Sequence, residues 1–177
     1  MDVTVGGRAF VRQLLDSMEQ ALAGGLTRQE RDSLRREVTD AILLAWPLAN
    51  APLMAASTSE LVRLFRWVGP VSDGLPQPTG PMKVFRGQVC GEPGMAWTED
   101  QMEARSYAGG WATAGASAVY EAVIPPEGVL ARFRSRREVV VDPSFISSRR
   151  VVMTFAHFMP CNPFAHCQHM WTMRPLA

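Results

Sequence analysis

The chain has 177 residues, 47% hydrophobic and 20% charged, with a formal net charge of +1. That is enough length and apolar content to bury a core without disulfides or a metal. A near-neutral balance leaves no electrostatic footprint for nucleic acid beyond a local basic patch. Lys83 is the sole lysine, an arginine skew that a GC-rich genome explains as readily as phosphate or carboxylate recognition. Cys90, Cys161 and Cys167 are an odd number with no disulfide-framework spacing. No leader and no membrane-length apolar run is present, so no membrane partner and a cytoplasmic location are expected.

In chain order, Phe10, Val11, Leu14, Leu15, Met18 and Leu22 recur at helical spacing, predicting a helix over 8–23 that Gly24-Gly25 ends. Thr27-Arg28-Gln29-Glu30 is a capping box opening a second helix to about Ala45, with Leu34, Val38, Ala41, Ile42 and Ala45 inward. Ser57-Thr58-Ser59-Glu60 repeats the pattern before Leu61, Leu64, Phe65 and Val68, and Gly69-Pro70 stops that helix. The stretch 71–81, rich in proline and glycine, reads as an irregular connector. The helical unit over 1–70 either packs on the rest of the chain or serves as a docking module.

From Lys83 the period changes. Met82–Phe85 predicts a strand, Glu99–Ala108 a helix broken by Gly109-Gly110, and 111–117 a loop. Ala118–Ile124, Val129–Phe133, Val139–Val141 and Arg149–Phe155 predict further strands, with a turn at Pro125–Gly128. Helices first and strands second predict an α+β fold, with a β-rich core over 82–177.

The motifs Phe85-Arg86-Gly87, Ala96-Trp97-Thr98 leading into a helix, and Glu138 opening Val139-Val140-Val141-Asp142-Pro143 follow one another in a telling order. The set resembles the arginine, serine/threonine and glutamate motifs of ADP-ribosyltransferases of the toxin and ecto-enzyme clade. It spans about residues 82–155. The resemblance implies a compact split β-sheet core with an NAD cleft, and transfer of ADP-ribose from NAD to a macromolecular acceptor with release of nicotinamide. It makes Glu138 the catalytic carboxylate beside the ribose, stabilising an oxocarbenium-like transition state. It makes Arg86, Gly87, Trp97, Thr98 and Tyr107 the NAD-binding set, with Tyr107 stacking on nicotinamide, and puts Arg136 on the acceptor side. Taken alone, these residues also read as a surface glutamate, a strand-end arginine, a helix cap at Thr98 and a core tryptophan at Trp97.

Two departures stand out. Ala96 replaces the first serine of the family motif, and Arg136 occupies a position where relatives carry Glu or Gln. A cation there disfavours a guanidinium acceptor and suits an acidic or phosphate-bearing one. Host protein and nucleic acid are the acceptors such bacterial or phage effectors reach, including after delivery into a host cell. The alternative is a catalytically degenerate transferase fold used as a protein-binding module. Finally, His157, Cys161, His166, Cys167 and His169 cluster near the C-terminus among Phe155, Phe158, Phe164, Met170 and Trp171. Their spacing fits no zinc motif, so no metal is expected and an apolar tail packing on the sheet is the leading reading, with a histidine lining the acceptor side of the cleft and a metal-stabilised regulator as alternatives.

Overall fold

A computed structural model describes residues 3–46, 56–89, 94–111 and 116–155. Helix α1 (Val3–Leu22), α2 (Arg28–Ala45) and α3 (Thr58–Val68) come first. Both predicted capping boxes form. Thr27 Oγ1 accepts from the Glu30 N–H at 3.3 Å while Glu30 Oε2 accepts from the Thr27 N–H at 2.7 Å. The Ser57–Glu60 pair repeats this at 3.3 and 2.8 Å. Each cap satisfies donors that a helix leaves unpaired at its start, worth about 1 kcal/mol.

The chain then runs β1 (Val71–Ser72), β2 (Met82–Val89), β3 (Ala96–Thr98), α4 (Gln101–Trp111), β4 (Ser117–Ile124), β5 (Val129–Phe133), β6 (Glu138–Val141) and β7 (Arg149–Phe155). The seven strands form one mixed sheet in the order β1-β5-β6-β3-β2-β4-β7. Among the described residues only β1 runs parallel to its neighbour. Leu14, Leu15 and Met18 of α1, Val38 and Ile42 of α2, and Leu61, Leu64 and Phe65 of α3 share one core with Leu130, Ala131, Phe133 and Val140 of the sheet. The helices therefore complete the core of the β-rich half. Helix α4 buries Ala104 and Ala108 against Phe85 and Val119 farther along the same sheet.

One joint in this sheet is thin. β2 pairs with β4 along all of Met82–Val89, whereas among the described residues β2 and β3 are registered at Phe85↔Thr98 alone. The backbone pairing thus divides into two ladders, β1-β5-β6-β3 and β2-β4-β7, which meet at one registered pair among the described residues.

Several expectations are corrected. The connector over 71–81 contains β1, because Val71 is buried and pairs with Ala131. β2 continues past Phe85 to Val89, placing Arg86 and Gly87 inside the strand. Helix α4 begins at Gln101, since Asp100 Oδ1 accepts from the Met102 N–H at 2.8 Å and takes the capping position. Gly109-Gly110 does not end it. Glycine costs a helix about 1 kcal/mol relative to alanine without forbidding it, and the buried Ala104 and Ala108 anchor this one. Cys90 and the cluster from His157 to His169 lie outside the described residues. Among the described residues, no helix is long and apolar enough to cross a membrane.

Candidate functional site

Arg86 follows the single pair that joins the two ladders. Its guanidinium reaches from β2 to β3, Nη1 donating to the Ala96 carbonyl while Nε donates to Gln88 Oε1. A Cβ at Gly94 would lie 2.6 Å from Arg86 Nη2, so glycine is what lets the chain pass the guanidinium here. Burial pushes Arg86 below its ordinary value, and the negative charge of Glu138 opposes that.

Thr98 stands on β3 in register with both Phe85 and Glu138. It is buried, and its hydroxyl serves as both donor and acceptor: Oγ1 donates to the Arg136 carbonyl at 2.8 Å and accepts from the Asp100 N–H at 3.0 Å. It therefore ties the start of α4 to the turn before Glu138. That turn is a 3-10 turn over Ser135–Arg137 in which Arg136 and Arg137 adopt φ of 56° and 47°. Left-handed backbone costs a side-chain-bearing residue about 1 kcal/mol or more. Thr98 and the Glu99 N–H, which donates to the Arg137 carbonyl at 3.0 Å, hold both residues in it. Arg132 of β5 adds an ion pair to Glu99 at 2.6 Å and donates to the Pro76 carbonyl, bracing the same corner.

Glu138 emerges from this braced turn as the first residue of β6, half-buried. Trp46, at the end of α2, donates from Nε1 to Glu138 Oε1 at 2.9 Å. The Trp46 ring is itself fixed edge-to-face on Phe65, with centroids 4.9 Å apart. Burial raises the Glu138 carboxyl above its ordinary value; the Trp46 hydrogen bond, Arg136 and Arg86 each pull it back without restoring it. A carboxyl raised in this way, beside cationic groups, can take up and return a proton and stabilise a developing positive charge.

The structure thus gathers Arg86, Thr98, Glu138 and Arg136 around the joint between the two ladders. It gives the other candidates different surroundings. Trp97 is 2% exposed, packs with Val84, Val139 and Val141, and donates from Nε1 to the Gly94 carbonyl at 2.9 Å, so it is a core residue. Gly87 faces α4, where a Cβ would run into the Ala104 carbonyl; its role is to let the helix approach. Tyr107 sits on the exposed side of α4, its hydroxyl accepting from Arg136 Nη1, with the Arg136 guanidinium 5.7 Å from the ring centroid. Arg136 also lies 4.0 Å from Glu103.

Trp46 and Gln88 were not legible as site residues. Both contacts depend on chain segments brought together by the sheet, and the one available hint is general: a buried indole N–H seeks an acceptor. Among the described residues no cluster of His, Cys, Asp and Glu could hold a metal ion. No family model matches this chain, and neither does any curated protein or solved structure.

Proposed function

We propose that the protein transfers ADP-ribose from NAD to a macromolecular acceptor, protein or nucleic acid, with Glu138 as its catalytic carboxylate. The observation that carries this reading is the placement of the half-buried Glu138 in register with Thr98, within electrostatic reach of Arg86, where the two ladders meet. The likeness of the three motifs to those of ADP-ribosyltransferases supports it. In the reaction, the bond from ribose C1′ to the nicotinamide nitrogen breaks and nicotinamide leaves with the bonding pair. Glu138, ionised, accepts a hydrogen bond from the ribose 2′-hydroxyl and favours the oxocarbenium-like centre at C1′. The acceptor nucleophile then bonds to C1′ and its proton passes to the carboxylate. Arg86 presents a planar fork of donors suited to phosphate oxygens, and among the described residues its Nε and Nη1 are the groups engaged. Thr98 acts by positioning the turn.

A second reading is a transferase-like fold serving as a protein-binding module. It is favoured by one observation: Tyr107 and Arg136 engage each other, where a nicotinamide and an acceptor would otherwise meet them. Nicotinamide release from NAD by the purified protein, measured with and without cell lysate beside Glu138→Gln, separates the two. Release that requires Glu138 supports the transferase. A folded protein that releases none, and captures a partner without NAD, supports the module.

A further inference from the structure

We infer that Trp46 is a positioning residue for Glu138, so that the helical unit supplies part of the site instead of only covering the sheet. The inference deepens the proposed function and rests on it. No donor from the sheet is recorded on the Glu138 carboxylate among the described residues. Thr98, its registered neighbour, directs its hydroxyl proton to the Arg136 carbonyl, and Ala96, two residues earlier on the same strand, has no donor side chain. The hydrogen bond to Oε1 comes from Nε1 of Trp46, ninety-two positions away in sequence.

The indole is well placed for this role. Trp46 is 8% exposed, caps the end of α2 with its backbone N–H on the Ile42 carbonyl, and stands edge-to-face on Phe65 of α3. An indole has a single donor and no acceptor, so it fixes one carboxylate oxygen and leaves the other for substrate. It also favours the ionised form, against the burial that works the other way. Among the described residues, the charged groups facing Glu138 are Arg136 from the preceding turn and Arg86 from β2, and neither donates a hydrogen bond to the carboxylate. Orientation therefore falls to Trp46, while the two arginines supply field.

Trp46→Phe keeps an aromatic ring against Phe65 and removes the N–H. The indole N–H resonance lost in that variant identifies Trp46, and in the wild type it is followed across the acid-to-neutral range. Should the variant fail to fold, the indole resonance displaced by Glu138→Gln identifies it instead. The expected result is a Trp46 resonance that titrates with an inflection above the ordinary carboxylate range, and that stops titrating in Glu138→Gln. In nicotinamide release, Trp46→Phe is expected to lower kcat about 5-fold and to move the acid limb of the pH profile upward by about half a pH unit or more. A merely structural tryptophan would lower the yield or the melting temperature and leave that limb in place. An indole resonance indifferent to pH overturns the inference, and so does an unmoved limb. A titrating resonance in a protein that never releases nicotinamide leaves the contact standing and sinks the transferase reading, together with the positioning role that depends on it.

Discussion

Glu138 and Asp142 bracket the same strand, one opening β6 and the other directly following it, and the protein treats the two carboxyl groups in opposite ways. Asp142 is 6% exposed and fully partnered. One oxygen accepts from the Ser144 N–H at 3.0 Å and from the Ser144 hydroxyl at 2.7 Å, and the other accepts from Arg66 of α3 at 3.0 Å. Burial alone would raise it, yet the Ser144 bonds and Arg66 outweigh burial and hold it below its ordinary value. Among the described residues Glu138 receives one indole N–H and two arginine fields, and burial wins. Both acids are contacted by the helical unit, α3 at Asp142 and α2 at Glu138. A carboxylate given all its partners is a fastener, whereas one left short of partners is held ready for something else.

The sharpest way to break that contrast is by activity. Glu138→Gln keeps an acceptor for Trp46 and is expected to lower nicotinamide release by about 10²–10⁴-fold with the fold intact. Asp142→Asn, by contrast, should leave per-molecule activity near wild type at permissive temperature. Its effect belongs to stability: losing the charge opposite Arg66 at a buried position is expected to cost about 2–3 kcal/mol, read by chemical denaturation at neutral pH.

The pH dependence of stability sharpens the same contrast. Asp142 is depressed in the folded protein, so its stabilisation is present above the unfolded value and lost as pH falls through the folded one. The penalty of Asp142→Asn should therefore shrink as the pH drops below the ordinary aspartate range. Glu138 is raised, so its contribution is present below the unfolded value and lost as pH rises through the folded one. Glu138→Gln should gain on wild type over that rise, ending equal or more stable at neutral pH, within about 1 kcal/mol. Denaturant midpoints of both variants across acid and neutral pH check the two opposite slopes.

Much of the frame was legible because it is local. The capping boxes at Thr27 and Ser57, the inward Leu61, Leu64 and Phe65, and the bounds of β5 and β7 all follow from short-range pattern. What escaped depends on distant chain. Two residues of β1 pair with β5 from within a proline-rich stretch, Gly109-Gly110 stays helical because Ala108 is buried, and Gly87 admits α4. In the site, residue types and order pointed to Arg86, Thr98 and Glu138, yet alternation along β3 put Trp97 in the core, and the partner of Glu138 came from α2.

The smallest expected effect returns to a local feature. Ser57→Ala removes the acceptor for the Glu60 N–H and should cost about 1 kcal/mol, with no change in the pH profile of activity. A shift in that profile would mean that α3 couples to Glu138 through more than packing.

The most direct test of the account is a side-chain carboxyl titration of Glu138 and Asp142 in the folded protein, by carbon NMR, without and with NAD. The account predicts Glu138 above the ordinary glutamate range and moved by NAD, with Asp142 below the ordinary aspartate range and unmoved. Two carboxyls at ordinary values, or NAD displacing neither, would contradict it.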